Sequence, residues 1–312
     1  MATARAMDVF RTSATSTATA PAQFSNEVVK LIDVSKCIGC KACQSACIEW
    51  NDTKPQIGFN HGVYENPLDL TPEMFTVMRY AEYVNPDSGN LEWLIRKDGC
   101  MHCAEPGCLA ACPAPGAIVQ YTNGIVDFVA DNCIGCGYCI RGCPFNIPRV
   151  SQAEGKAHKC TLCSDRVAVG QGPACQKACP TQAIVFGTKD EMMAHADGRI
   201  KDLKSRGFAA AGLYNPGGGA GGGGTGGGSN IGGTHVMYVL HHADKPEIYS
   251  GLAANPSISG IIGVWKGATK YVGLAALGAA LVVAFFHHVV RGPNRVSRED
   301  EEKARRLVEG RA

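Results

Sequence analysis

Residues 37–47 read CIGCKACQSAC, four cysteines within eleven residues. Three further quartets follow: Cys100, Cys103, Cys108 and Cys112; Cys133, Cys136, Cys139 and Cys143; Cys160, Cys163, Cys175 and Cys179. Together they account for all 16 cysteines of the 312-residue chain. So dense a set of thiols confines the surrounding loops to whatever pairs or ligates sulfur: disulfides, structural zinc or iron–sulfur clusters. Disulfides suit a secreted chain, and residues 1–34 lack the uninterrupted apolar core of a cleavable secretory signal. Zinc is usually gripped from two sides by two CxxC pairs. Only the last quartet, with its gap of eleven residues, resembles that arrangement.

The first and third quartets follow the C-x2-C-x2-C-x3-C run, in which three thiolates wrap one cubane and the fourth is carried to a second cluster. Proline follows the last cysteine of three quartets (Pro113, Pro144, Pro180), with Ile48 the exception. At four thiolates each, the 16 cysteines predict four [4Fe-4S] clusters, and four one-electron carriers in one chain predict a wire.

Between Cys112 and Cys133 lies PAPGAIVQYTNGIVDFVADN, two β-rich runs (117–121 and 125–129) joined by the turn signal Thr122-Asn123-Gly124. A hairpin between two cluster motifs marks a two-cluster ferredoxin module. Exchange of fourth ligands then gives Cys100, Cys103, Cys108 and Cys143 on one cluster and Cys133, Cys136, Cys139 and Cys112 on the other. The outer quartets are left to pair: Cys37, Cys40, Cys43 with Cys179, and Cys160, Cys163, Cys175 with Cys47. The strand-like runs VVKLIDV and AIVFG would lie side by side and enclose the first module. Lys36, Lys41, Arg141, Lys159, Arg166 and Lys177 crowd these motifs, either as a solvated surface or as cations that raise cluster potentials.

The net charge of +2 leaves no footprint for nucleic acid. Residues 1–27, rich in Ala, Thr and Ser, read as an extended arm. Residues 217–233, GGGAGGGGTGGGSNIGG, read as a flexible insertion, because they have too few side chains to bury. Residues 271–290 carry no formal charge and would span about 30 Å as a helix, enough to cross a bilayer. Trp265, Lys266 and Lys270 stand at one end as interface anchors. Six cations follow the span (Arg291, Arg295, Arg298, Lys303, Arg305, Arg306) against two before it, which puts the C-terminus in the cytoplasm. The cluster domain is then periplasmic. Since residues 1–34 hold neither a signal core nor a twin arginine, export is expected to depend on a partner.

Several segments together resemble the iron–sulfur (beta) subunits of bacterial membrane-bound formate dehydrogenases, of the N and O types: KLIDVSKCIGCKACQ, EWLIRKDGCMHC, NGIVDF, CIGCGYCIRGCPFNIPR and KCTLCSDR. More specific is GGTHVMYVLHHADKPEIY at 232–249, followed by one span and GPN at 292–294. The resemblance runs over about 28–294. It departs in a longer polyglycine stretch and in the missing proline at Ile48.

The resemblance implies a catalytic partner with molybdenum or tungsten bis-pterin and a membrane cytochrome b partner that reduces quinone, with no catalytic site on this chain. The haems would sit on that partner, although His241, His242, His287 and His288 are imidazoles of the kind haem iron accepts. The expected architecture is α+β: two nested bacterial-ferredoxin-like two-cluster modules plus one C-terminal transmembrane helix. Its parts are an arm (1–27), a four-cluster domain (28–190), a linker region (191–260), the transmembrane helix (261–291) and a cytoplasmic tail (292–312). Within the four-cluster domain, 37–47 and 160–179 form one module and 100–143 the other. The rival functions are the same wire in a membrane-bound hydrogenase or another molybdopterin oxidoreductase, and a zinc-stabilised, membrane-tethered binding module.

Overall fold

The run VVKLID is buried at all six positions, which marks a strand covered on both faces rather than an amphipathic one. In the computed structural model, which describes residues 7–14, 26–60, 62–86, 88–216, 230–292 and 296–310, this strand is central to a four-stranded sheet. The chain divides into a cysteine-bearing unit ending at Ser259 and a C-terminal unit beginning at Gly260.

Chain order begins with β1 (Val9–Thr12), β2 (Val28–Asp33) and α1 (Ala42–Trp50). The hairpin strands β3 (Thr76–Val84) and β4 (Leu91–Gly99) follow, then α2 (Gly107–Ala111), β5 (Ile118–Tyr121), β6 (Val126–Phe128) and α3 (Tyr138–Gly142). Next come β7 (Arg149–Val150), β8 (Ala157–His158), α4 (Ser164–Ala168), α5 (Ala174–Lys177), β9 (Ile184–Thr188) and α6 (Lys189–Ser205). The unit closes with β10 (Gly212–Tyr214) and β11 (Val236–Leu240).

The inner module is built on the predicted hairpin. β5 pairs antiparallel with β6 through a turn at Gly124, whose φ of 89° and close approach to the His235 ring both exclude a side chain. Residues 9–12 of the arm add β1 to the outer edge of β5, so this part of the arm lies on its own chain. Arg11 pins it there, its guanidinium forking onto the Glu105 carboxylate at 2.8 and 3.0 Å and donating to the Ala104 carbonyl. The rest of the arm, 1–6 and 15–25, lies outside the described residues.

β2 carries the outer module. It runs antiparallel to β9, as the strand-like runs predict, and parallel to β11. Side chains alternate across the sheet. Val29 and Leu31 pack under α6 with Ala196, Leu203 and Met237, while Val28 and Ile32 turn toward the cysteine motifs. α6 starts at a reciprocal cap in which Thr188 and Glu191 satisfy each other's backbone amides.

Residues 191–260 are therefore no linker: α6, β10 and β11 complete the sheet, and Tyr214, Tyr238 and Tyr249 are shut inside it. The glycine-rich stretch masks this in the sequence, because β11 pairs with a strand some two hundred residues away. Residues 217–229 themselves lie outside the described residues.

The C-terminal unit is a 32-residue helix, α7 (Gly260–Arg291), and a capped 12-residue helix, α8 (Arg298–Glu309). Within α7, Val272–Val290 is long and apolar enough to cross a membrane, with a mean hydropathy of 2.0 and no part buried. The anchors Trp265, Lys266 and Lys270 and the Arg291 side chain fall outside the described side chains, as does residue Arg295.

Candidate metal centres

One backbone turn occurs four times. In each quartet the residue two after the first cysteine sits in the left-handed region: Gly39 (φ 66°), His102 (46°), Gly135 (70°) and Leu162 (55°). That conformation swings the amide N–H back onto the cysteine sulfur, at 3.4 Å for His102 to Cys100, Gly135 to Cys133 and Leu162 to Cys160. The Gly39 amide acts likewise on Cys37. Glycine reaches this region freely, whereas His102 and Leu162 are held there at a cost of about 1–2 kcal/mol each.

The last two cysteines of each quartet stand four apart, and in the first quartet α1 displays Cys43 and Cys47 on one helix face. Each such segment therefore spans two neighbouring sites. Cys37, Cys40, Cys43 and Cys179 line a cavity of about 370 Å³. Cys47, Cys160, Cys163 and Cys175 line one of about 310 Å³, and Cys100, Cys103, Cys108 and Cys143 one of about 340 Å³. Cys112, Cys133, Cys136 and Cys139 form the remaining group, where burial and then the other three sulfurs push the Cys139 thiol up to about 12. Gly107 and Gly142 pack α2 against α3 so closely that a Cβ on either would strike the other's carbonyl, at 2.2 and 2.4 Å.

The groups stand in a row. Cys43 of the first acts electrostatically on Cys175 of the second, Cys100 of the third on Cys160 of the second, and Cys108 of the third on Cys139 of the fourth. The two exposed cysteines, Cys40 and Cys136, belong to the two ends.

A polynuclear core suits this donor set. Zinc–sulfur bonds of about 2.3 Å would draw four sulfurs tightly around one point. Among the described residues, no group of three or more Cys, His, Asp or Glu is arranged to hold a single ion; the sulfurs are spread around cavities instead. Burial first, then neighbouring thiols, raise Cys163 to about 12 and Cys43 to about 11, even with Lys97 working against the rise at Cys43. Such thiols give up protons only to a bound cationic centre.

The exception is Cys160, which is lowered: burial works against its thiolate, but Lys30, Lys97, the Leu162 amide and Lys159 outweigh it. Of the six cations flagged in the sequence, Arg141 and Lys177 are exposed, and Lys36 and Lys41 are half-buried. Lys159 and Arg166 are buried, contrary to a solvated surface. Arg166 lies over the Trp50 ring at 4.3 Å, and the Trp50 indole donates to Asp165.

Sequence reasoning missed Lys30 and Lys97. A lone lysine among the apolar residues of VVKLID was the available signal for Lys30, whereas Lys97, flanked by Arg96 and Asp98, offered none. The histidines have other partners. His242 pairs with Glu92 at 2.7 Å, His241 packs on Phe208, and His287 and His288 are exposed on α7.

Residues 91–189 and 36–117 each match a family model described as a 4Fe-4S dicluster domain, and 258–301 match one described as the formate dehydrogenase N transmembrane segment. With that match, α7 is a single-pass membrane anchor. The chain is 55% identical over 298 residues to the nitrate-inducible formate dehydrogenase iron-sulfur subunit of Escherichia coli (strain K12), covering 95% of this chain and 97% of that protein. It is 54% identical to the formate dehydrogenase-O iron-sulfur subunit of the same organism, covering 95% of each chain. Against the formate dehydrogenase iron-sulfur subunit of Haemophilus influenzae it is 56% identical, covering 92% of this chain and 89% of the other. A likeness of this extent, spanning both dicluster regions and the membrane helix, makes the chain a member of the formate dehydrogenase iron-sulfur subunit family.

Proposed function

We propose that this chain carries electrons within a membrane-bound formate dehydrogenase, holding four [4Fe-4S] clusters and no catalytic site of its own. The ligand sets are Cys37, Cys40, Cys43 and Cys179; Cys47, Cys160, Cys163 and Cys175; Cys100, Cys103, Cys108 and Cys143; and Cys112, Cys133, Cys136 and Cys139. The observation that carries this reading is the row of four groups, which uses every cysteine once and leaves an exposed cysteine only at its ends. When bound, such clusters supply reversible one-electron transfer at potentials set by charge, hydrogen bonding and exposure.

The chain's residues prepare for that chemistry. Four left-handed turns aim amides at sulfur, and apolar side chains such as Ile32, Met78 and Ile147 keep water from the cavities. The terminal groups are the ones a partner can reach. A molybdenum- or tungsten-pterin catalytic subunit would meet one end and a cytochrome b subunit, passing electrons to quinone, the other. With α7 in the bilayer and six Lys and Arg residues within twenty residues beyond the span against two before it, the positive-inside rule favours a periplasmic cysteine-bearing unit and a cytoplasmic C-terminus.

The test is purification of the native complex through a tag on this chain. At least about sixteen labile sulfides and as many non-haem irons per chain, with quinone reduced on formate addition, are expected for four cubanes. Roughly four zincs and no labile sulfide assignable to this chain would refute the reading.

A further inference from the structure

Three lysines are sealed inside the cysteine-bearing unit, and they are unevenly shared among the four groups. Lys97, 3% exposed, lines both the cavity of Cys37, Cys40, Cys43 and Cys179 and that of Cys47, Cys160, Cys163 and Cys175. Lys30, 2% exposed, lines the second of these, and Lys159 lines the cavity of Cys100, Cys103, Cys108 and Cys143. At the remaining group the half-buried Lys156 donates its ammonium to the Cys133 carbonyl at 2.7 Å.

Lys97 is an unusual cation. Its ammonium donates to Thr76 Oγ1 at 2.5 Å, and among the described residues no carboxylate forms an ion pair with it. Burial alone would push the ammonium toward neutrality. It stands instead between Cys43 in one cavity and Cys47, Cys160 and Cys175 in the other. A buried charge is retained only when paired, so the counter-charge for Lys97 is the anionic contents of the two cavities it separates.

We propose that Lys97 is a shared positioning charge that raises the reduction potentials of the two clusters flanking it, making the groups of Cys37 and Cys47 the electron-attracting half of the series. The physics is that of a fixed cation beside a site that becomes more negative on reduction. In a dry interior, neither water nor salt screens the attraction. Because Lys97 lines both cavities, it shifts both potentials together relative to the other two and leaves the step between the flanking pair nearly unchanged.

This inference rests on the ligand sets proposed above, and its test separates the two. In the purified complex, redox titration followed by EPR is run on the parent chain, on Lys97→Met and on Thr76→Val, with signals assigned through Cys40→Ser and Cys136→Ser. Fewer than four cluster signals in the parent would refute the ligand sets. With four present, Lys97→Met is expected to lower two midpoints, including the one assigned by Cys40, by at least a tenfold change in the reduced-to-oxidised ratio, about 59 mV for one electron. The signal assigned by Cys136 stays in place. Thr76→Val keeps the cation but frees it from its acceptor, and moves the same two midpoints by less. Unmoved midpoints in a Lys97→Met complex of full iron content, or four midpoints moving equally, overturn the proposal. Should Lys97→Met fail to assemble, Thr76→Val decides alone: unmoved midpoints there overturn it too.

Discussion

Gly107→Ala isolates how closely the inner module must pack to hold its sulfurs. A Cβ at position 107 would lie 2.2 Å from the Gly142 carbonyl oxygen and 2.8 Å from Ile258 Cγ1. That is about 1 Å inside ordinary van der Waals contact, and the obstacle is backbone that no rotamer change can remove. Helices α2 and α3 must separate, and each carries a cysteine beside its glycine: Cys108 next to Gly107 and Cys143 next to Gly142, both on the same cavity.

Overpacking of this kind costs about 1–3 kcal/mol, and the upper end applies where only backbone can yield. At roughly 2–4 °C per kcal/mol for a unit of this size, the apparent midpoint falls by on the order of 10 °C. Gly198→Ala in α6 is the control, since a Cβ there meets nothing within 4 Å. Removing a mid-helix glycine gains about 0.5–1 kcal/mol. The assay is thermal loss of visible cluster absorbance at one fixed scan rate, because unfolding with cluster loss is irreversible, together with iron per chain. Gly107→Ala melting with the parent and retaining all its iron would refute the close-packing account of α2 and α3.

Other perturbations reach other parts of the chain. Cys136→Ser replaces a thiolate by a neutral hydroxyl and is expected to remove or convert one cluster of four; four unchanged EPR signals would count against grouping Cys136 with Cys112, Cys133 and Cys139. Asp98 is half-buried, and desolvation would raise its carboxyl, but Arg96 and Arg79 outweigh that and hold it below the ordinary value of 3.8. A depressed folded value means the stabilisation is complete above the unfolded value and fades as pH falls through the folded one. Acid titration of stability below about pH 4 is thus expected to be shallower in Asp98→Asn, and an identical acid limb would contradict the assignment. Arg11→Ala removes the fork onto Glu105 and the bond to Ala104, so limited proteolysis is expected to cut near residues 7–14 first; an unchanged cleavage pattern would show that β1 holds without it. A reporter active only in the periplasm and fused after Ala312 is expected to be silent, and activity there would reverse the proposed orientation.

The parts of this chain that could be read in advance are those whose constraint is local. Three thiolates from one short loop wrap a cubane, so spacing announces the first three quartets, and the turn signal Thr122-Asn123-Gly124 announces the β5–β6 hairpin. Helix period does the rest, because cysteines four apart span neighbouring sites. What stayed hidden is non-local. Strands β3 and β4 hold nine residues each in one long hairpin, yet TVMRYAEYV shows no clean alternation, since one end is buried and the other open. β11 reads as an isolated apolar run behind glycines and finds its place only through parallel pairing with β2.

Lys97 shows why charge is the hardest of these to anticipate. On the pattern of β4 it is one more cation in a strand, and as a class lysines are surface residues. Only the arrival of Cys43, Cys47, Cys160 and Cys175 from three separate segments turns its site into one where a positive charge is favoured. Its burial is thus a consequence of the contents of the cavities. Stripping iron with a chelator should therefore loosen the Thr76–Lys97 region before the distant α6 face of the sheet. Hydrogen exchange can compare the amides of β4 with those of α6. Equal protection at both after iron removal would mean that the apolar packing of Met78 and Leu94, rather than charge pairing, holds Lys97 inside.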